Sequence, residues 1–244
     1  MPRLRAVCAP RVRDIMATEI VIERLLMTTK TEYEQLMRLM ADFASGYLKP
    51  AIEVRNTGKK LETDGDFSAI FYGFTEIGEA LDALALVEQL LRLAPPRSNR
   101  IDKDSYLKFL VGSYLQEMYI LEQRLTAYAK KLSRLYNKPL LQSLVHRVVY
   151  KPLEGIISTR GAHVHQSRFT DKNLDSVSTM ALFKRAGHVL GEDLEVEYKL
   201  AQWDWSKRVK ENNQKTREII NSYSKIIKVV ICNNGVISFP SGNK

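Results

Sequence analysis

The chain has 244 residues and carries 37 lysines and arginines against 28 aspartates and glutamates, giving a formal net charge of +9. Its 45% hydrophobic and 27% charged residues are typical of a globular protein and exclude a disordered or fibrous chain. Two cysteines, Cys8 and Cys232, exclude a disulfide framework and a thiolate metal site. No apolar run is long enough to cross a bilayer. We therefore expect a cytoplasmic protein without a membrane partner, whose positive charge favours a polyanion such as RNA or DNA.

Residues 1–16 form a basic segment with four arginines and a single acid, Asp14. This composition favours a disordered arm, or an over-extended start with Met16 as the natural first residue. A short amphipathic targeting leader is the alternative that we favour less. A helical domain is expected to follow over residues 17–228.

The first strong helix signal begins at Thr31. Thr31 and Glu34 have the spacing of a capping box, in which each side chain bonds the backbone N–H of the other residue. Apolar residues then repeat at helical spacing until Pro50. The polar stretch 56–66 contains two glycines and predicts a loop.

Two long helices are predicted next. The first covers residues 67–93, and Gly73 and Gly78 inside it indicate close helix packing or a bend. The second has Asp102 as its candidate N-cap. Its apolar residues repeat at steps of four and three up to Leu135, as in a helical bundle or a coiled-coil seam.

Four further helices are predicted after residue 139. The first covers residues 140–150, and Pro152 suits the first turn of the next one. A third covers residues 174–186, and a fourth runs over residues 193–227.

The C-terminal segment has a different pattern. Residues 229–231 and 236–239 predict two strands joined by a turn at Asn234 and Gly235. A two-stranded hairpin needs a neighbour to be stable, and residues 19–23 are a candidate third strand or a helix. The fold class is therefore an all-α bundle of long helices, with a small C-terminal β-hairpin or tail over residues 229–244.

The strongest functional signal is an arginine with two histidines near the end of the helix that follows Pro152. Arg160, His163 and His165 combine a group that binds phosphate with groups that exchange protons near neutral pH. Arg160 also continues the apolar stripe formed by Leu153 and Ile157. A buried arginine needs an anionic partner, and a substrate phosphate or a carboxylate of a second subunit would provide one.

The spacing of arginine, four residues and histidine, placed after several bundle helices, resembles the HEPN superfamily. Its members are small all-α proteins, and many are metal-independent endoribonucleases. The resemblance implies that Arg160 binds and stabilises the phosphate and that His165 is the general acid or base. It also implies a homodimer in which two motifs form one composite active site. A toxin or antiphage role, with an antitoxin or other regulatory protein as a partner, follows from the same resemblance.

Two features of the motif leave alternatives open. Gly161 stands where the family often has a polar residue. On a regular helix Arg160 and His165 are five residues apart and therefore about 140° apart around the axis. His163 lies three residues from Arg160 and shares its face better. It is therefore a candidate second phosphate contact, or the working histidine itself.

Neighbouring polar and basic residues are candidate RNA contacts. The hydroxyls of Ser158 and Thr159 either position a phosphate or bond helix carbonyls. The tryptophans of the last long helix, with the cations that follow them, resemble a surface that stacks and clamps single-stranded RNA. We favour a buried Trp205, a half-exposed Trp203 and a solvated basic face. The basic residues concerned are Lys207, Arg208 and Lys210.

A metal site is the main competing interpretation of the histidine pair. His163 and His165 would point apart on a helix, and His146 and His188 are distant in sequence. We therefore predict no metal and no cofactor. The favoured function is metal-independent cleavage of RNA by a homodimer. The alternatives are a non-catalytic HEPN-like module that binds RNA, nucleotide or a protein, and a structural bundle.

Overall fold

The computed structural model describes residues 31–55, 65–97, 101–165 and 171–240, with backbone only at residues 50–55, 159–165 and 192. The basic arm (1–16) and the candidate strand (19–23) lie outside the described residues. The helices are α1 Glu32–Arg55, α2 Gly65–Arg92, α3 Lys103–Leu135, α4 Leu140–Val145, α5 Lys151–His165, α6 Lys172–Arg185 and α7 Leu194–Ile231. A π-helical turn, His146–Tyr150, joins α4 to α5, and a 3₁₀ helix, Val189–Asp193, precedes α7.

Helices α2 and α3 form the central antiparallel pair. The Tyr128 hydroxyl near the end of α3 donates to the carbonyl of Ile70 near the start of α2, at 2.8 Å. Gly73 lies against the same ring, since a Cβ at this position would approach a Tyr128 ring carbon to 2.5 Å. The close packing predicted from Gly73 is therefore confirmed.

Helix α7 lies parallel to α3 and joins the bundle along its whole length. The Tyr223 hydroxyl donates to the carbonyl of Leu125 at 3.0 Å, and the Thr216 hydroxyl lies 3.9 Å from the sulfur of Met118. Helix α1 packs on α7 and antiparallel to α2 through stacked aromatic rings, such as Tyr47 on Phe67 at 4.0 Å. The all-α bundle predicted from the sequence is thus confirmed.

The capping box is also confirmed, whereas Asp102 occupies the N-cap position of α3 without a side-chain capping bond, and α1 continues past Pro50 to Arg55. The Thr31 N–H donates to the Glu34 carboxylate at 2.8 Å, and the Glu34 N–H donates to the Thr31 hydroxyl at 3.2 Å, as a capping box requires. Asn137 and Gly187 adopt positive φ angles of 51° and 69° directly after α3 and α6. These left-handed residues end their helices.

The C-terminal prediction was partly wrong. Residues 229–231 belong to α7, and the strands are only Cys232–Asn233 and Val236–Ile237. Ile231 is buried four residues after buried Ile227, so core packing extends the helix over a sequence with strand propensity. The turn at Asn234 and Gly235 is confirmed, since both have positive φ, 50° and 80°. The hairpin packs on α1.

No described helix combines the length and the apolar character needed to cross a membrane.

Candidate functional site

Helix α5 carries the predicted motif on a continuous helical segment. Backbone helix runs without interruption from Leu140 through the π turn to His165. The π turn widens just before Pro152, which has no N–H to bond the carbonyl of Val148. Arg160 and His163 therefore occupy positions about one turn apart on a single helix. Their side chains, and that of His165, lie outside the described residues.

The first half of α5 is anchored to the core. Leu153 is buried, and Ile156 and Ile157 are half-buried against the core cluster. This matches the apolar stripe expected from the sequence and packs α5 on α3. The backbone of Arg160 continues this anchored helix.

Ser158 is exposed, and its hydroxyl donates to the carbonyl of Gly155 at 3.0 Å. Of the two roles that the sequence left open for this residue, the structure has the bond to a helix carbonyl. The oxygen of Ser158 keeps its capacity to accept a hydrogen bond. The side chain of Thr159 lies outside the described residues.

The three candidate cations of α7 are all exposed but differ in their partners. The Lys207 ammonium lies 5.8 Å from the ring centre of Trp203. The Arg208 guanidinium bonds the carboxylates of Asp171 at 3.0 Å and Asp204 at 2.7 Å. Arg208 therefore has a structural partner at the N-cap of α6 as well as its partner on α7.

Both tryptophans follow the favoured interpretation, with one difference. Trp205 is 5% exposed and belongs to the core, as predicted. Trp203 is 65% exposed, which is more than the half-exposure expected. It stands on the outer side of α7, where its ring is available to a partner.

Asp171 is the residue that the sequence interpretation missed. Its carboxylate caps α6 through the N–H groups of Asn173 and Leu174, at 3.1 and 3.2 Å, and accepts from the Trp205 indole at 3.3 Å. Together with the bond to Arg208, these contacts fix the start of α6 on α7. An aspartate directly before a helical pattern was the available signal.

Chain connectivity limits the distance between the motif and this network. His165 ends α5 and Asp171 follows six residues later, so their Cα atoms are separated by at most about 22 Å. Arg208 bonds Asp171 directly.

A second group of cations lies at the far end of the central pair. Lys130, Lys131 and Arg134 are exposed on the last turns of α3 and line a shallow concave surface with Ala127 of the same helix and Ala69 of α2. Cations at the end of a helix also suit its dipole. The sequence interpretation did not single out these residues.

The described side chains offer no metal centre. Among them, no group of three or more histidine, cysteine, aspartate or glutamate residues is placed to hold an ion. His163 and His165 lie outside that set.

Burial raises the pKa of Tyr114 and of Tyr198 to about 12, so these core phenols remain protonated near neutral pH.

No protein-family model, curated protein or solved structure matches the chain. The resemblance to the HEPN superfamily therefore depends on the spacing of Arg160 and His165 and on the order of the helices. A function must be argued from the residues themselves.

Proposed function

We propose that the protein is a metal-independent endoribonuclease that cleaves RNA as a homodimer in the cytoplasm. The observation that carries the proposal is the placement of Arg160, His163 and His165 in the last turns of one continuous helix. A toxin or antiphage role, controlled by an antitoxin, follows from the resemblance to the HEPN superfamily.

The helical spacing favours a site shared between two subunits. Positions 160 and 165 are about 140° apart around α5, so one helix does not present both to the same phosphate. A second α5 facing the first supplies the missing histidine. Arg160 of one subunit then works with His165 of the other, and His163, one turn from Arg160, assists at the phosphate.

The reaction needs only these groups. His165 of one subunit removes the proton of a ribose 2′-hydroxyl, whose oxygen attacks the adjacent phosphorus. His165 of the other subunit protonates the leaving 5′-oxygen as the P–O bond breaks. Arg160 stabilises the negative charge that builds on the phosphoryl oxygens. The products are a 2′,3′-cyclic phosphate and a 5′-hydroxyl.

Exposed cations support an RNA substrate. Lys130, Lys131 and Arg134 are exposed on the last turns of α3, the helix on which α5 packs. The chain as a whole carries a net charge of +9. Phosphate contacts by such cations give binding that weakens as the salt concentration rises.

A second candidate function is RNA binding without cleavage. The angular separation of positions 160 and 165 favours it if the two α5 helices do not face each other. The same exposed cations would then hold RNA on a non-catalytic surface.

The test is cleavage of a labelled single-stranded RNA in EDTA by the full chain and by Arg160→Ala, His163→Ala and His165→Ala. We expect Arg160→Ala and His165→Ala each to lower the rate at least about 100-fold. The matched controls are His146→Ala and Arg147→Ala, which alter exposed residues of the same continuous helical segment and should keep the activity.

Product analysis separates the two candidate functions. Cyclic phosphate ends formed in EDTA support the nuclease. Salt-sensitive binding of RNA without any cleavage contradicts the nuclease and supports the binding module. Cleavage that survives Arg160→Ala and His165→Ala contradicts the assigned site.

A further inference from the structure

Helix α7 has an apolar stripe on the side that faces away from the bundle. Val196, Leu200 and Trp203 are 58%, 56% and 65% exposed, and they follow one another at steps of four and three residues. That spacing keeps all three side chains on one face. The opposite face, with Tyr198 and Trp205, is buried in the core. A large exposed aromatic beside two aliphatic residues is typical of an interaction surface.

The same stripe is charged at both ends, with opposite signs. Asp193 lies three residues before Val196, and Lys207 and Lys210 lie beyond Trp203, all at the continuing spacing of three and four. Asp193 occupies the N-cap position of α7, but its carboxylate makes no capping hydrogen bond. We call residues 193, 196, 200, 203, 207 and 210 the outer stripe. It extends about 26 Å along the helix axis.

We propose that the outer stripe binds a second copy of this chain, with the two α7 helices antiparallel about a two-fold axis between Leu200 and Trp203. In this arrangement Leu200 of each copy packs on Trp203 of the other. Val196 packs on the aliphatic stem of Lys207, and Asp193 pairs with Lys210. The spacing of four and three is that of a coiled-coil seam, which suits helix pairs at a small crossing angle.

The charges at the two ends of the outer stripe favour a second copy of the chain as the binding partner. They also favour an antiparallel orientation of the two α7 helices. A two-fold contact places the same surface on both sides, so every attractive pair in it occurs twice. An antiparallel pair brings the acidic end of one stripe to the basic end of the other. A parallel pair would place Asp193 against Asp193 and Lys210 against Lys210, which costs free energy.

The size of the surface sets the expected affinity. One helix face with three apolar residues is smaller than a standard interface, so we expect reversible association with a dissociation constant of roughly 1–100 μM. The contact is the one that would form the homodimer of the proposed function, so the inference rests on that function for its role. A dimer that persists in Leu200→Glu overturns the inference and leaves the proposed function standing, whereas a wild-type dimer that does not cleave RNA overturns the proposed function alone.

The experiment is sedimentation velocity of the full chain from 5 to 500 μM, roughly a hundredfold range around the expected dissociation constant. The wild type is expected to shift from monomer to dimer within this range. Leu200→Glu places a charge at the centre of the contact and should keep the protein monomeric throughout. The matched control is Leu182→Glu, which alters an equally exposed leucine of α6, 61% exposed, and should leave the dimer intact.

A charge exchange tests the orientation. Asp193→Lys and Lys210→Glu should each weaken association at least about 5-fold, and the double variant should recover most of the wild-type affinity. Circular dichroism of every variant checks that the fold is retained. A wild type that stays monomeric at 500 μM overturns the proposal, as does a dimer unaffected by Leu200→Glu. A double variant no better than the single variants overturns the antiparallel arrangement.

Discussion

Helices α3 and α5 pack against each other but differ in how they are held by the core. Helix α3 has buried residues along its whole length, from Leu107 to Leu132, and touches α2, α5, α6 and α7. Helix α5 is anchored by Leu153 in its first turn, and Ser158 near its middle is exposed. The proposed site residues follow Ser158. Anchoring one end of a helix in the core holds the backbone of the residues that follow it.

The largest expected effect concerns activity at the end of α5 without loss of stability. Arg160→Ala and His165→Ala should each be nearly inactive, with melting temperatures close to that of the wild type. When the two inactive variants are mixed and allowed to exchange subunits, a shared site should restore part of the activity, above that of either variant alone. Half of the dimers are then mixed, and each mixed dimer regains one Arg160 that faces one His165. No recovery after complete exchange would contradict a site formed between subunits.

The next effect is on stability and concerns the centre of α3. Leu121 is fully buried, so Leu121→Ala leaves a cavity and should lower the free energy of unfolding by about 2–5 kcal/mol. Urea denaturation measures this change. Leu140→Ala removes a leucine that is exposed at the start of α4, and it should change stability by less than about 0.5 kcal/mol. Similar losses in both variants would contradict the burial described for α3.

A smaller effect tests the contact between α2 and α3. Gly73→Ala adds a methyl group 2.5 Å from a ring carbon of Tyr128, so the ring has to move. We expect a loss of about 1–3 kcal/mol. Gly112 of α3 has no atom within 4 Å of the corresponding Cβ position, and Gly112→Ala should stabilise the protein by about 0.5–1 kcal/mol. Opposite signs for the two variants, measured by thermal or urea unfolding, are the decisive result.

The smallest effect appears only at high pH. Burial, with added repulsion from Tyr106 and Glu195, raises the pKa of Tyr198 to about 12. The native state thus favours the neutral phenol. This contribution to stability is complete below the unfolded pKa of about 10 and is lost as pH rises towards 12. Tyr198→Phe should leave stability near pH 7 little changed, because the buried hydroxyl has no hydrogen-bond partner within the described structure. It should also flatten the alkaline decline, whereas Tyr72→Phe, at an exposed position, should not.

Much of the architecture was predictable because its signals are local. The capping box at Thr31 and the left-handed residue Gly187 set helix ends through bonds to near neighbours in sequence. The turn at Asn234 and Gly235 is local in the same way. The repeat of apolar residues up to Leu135 predicted which face of α3 is buried, because a helix places residues three and four apart on one side.

The candidate site was predictable only as a set of residue types on one helix. Its placement in the last turns of α5 follows from the helical pattern after Pro152, and the structure has that helix. The role of Arg208 was not predictable, because its partner Asp171 lies 37 residues away in sequence. A charge run on α7 gives no indication of which of its exposed cations, Lys207 or Arg208, is bound by carboxylates.

The sequence by itself determined the helical class, most helix ends and the turn of the hairpin, since each depends on residues within about one helical turn. The tertiary structure alone decided the parallel alignment of α7 with α3, the continuation of α7 to Ile231 and the binding of Arg208 by Asp171. It also decided that Trp203 is more exposed than the sequence had led us to expect. These outcomes depend on contacts between distant segments, where the burial of apolar surface and the pairing of charges outweigh local propensity.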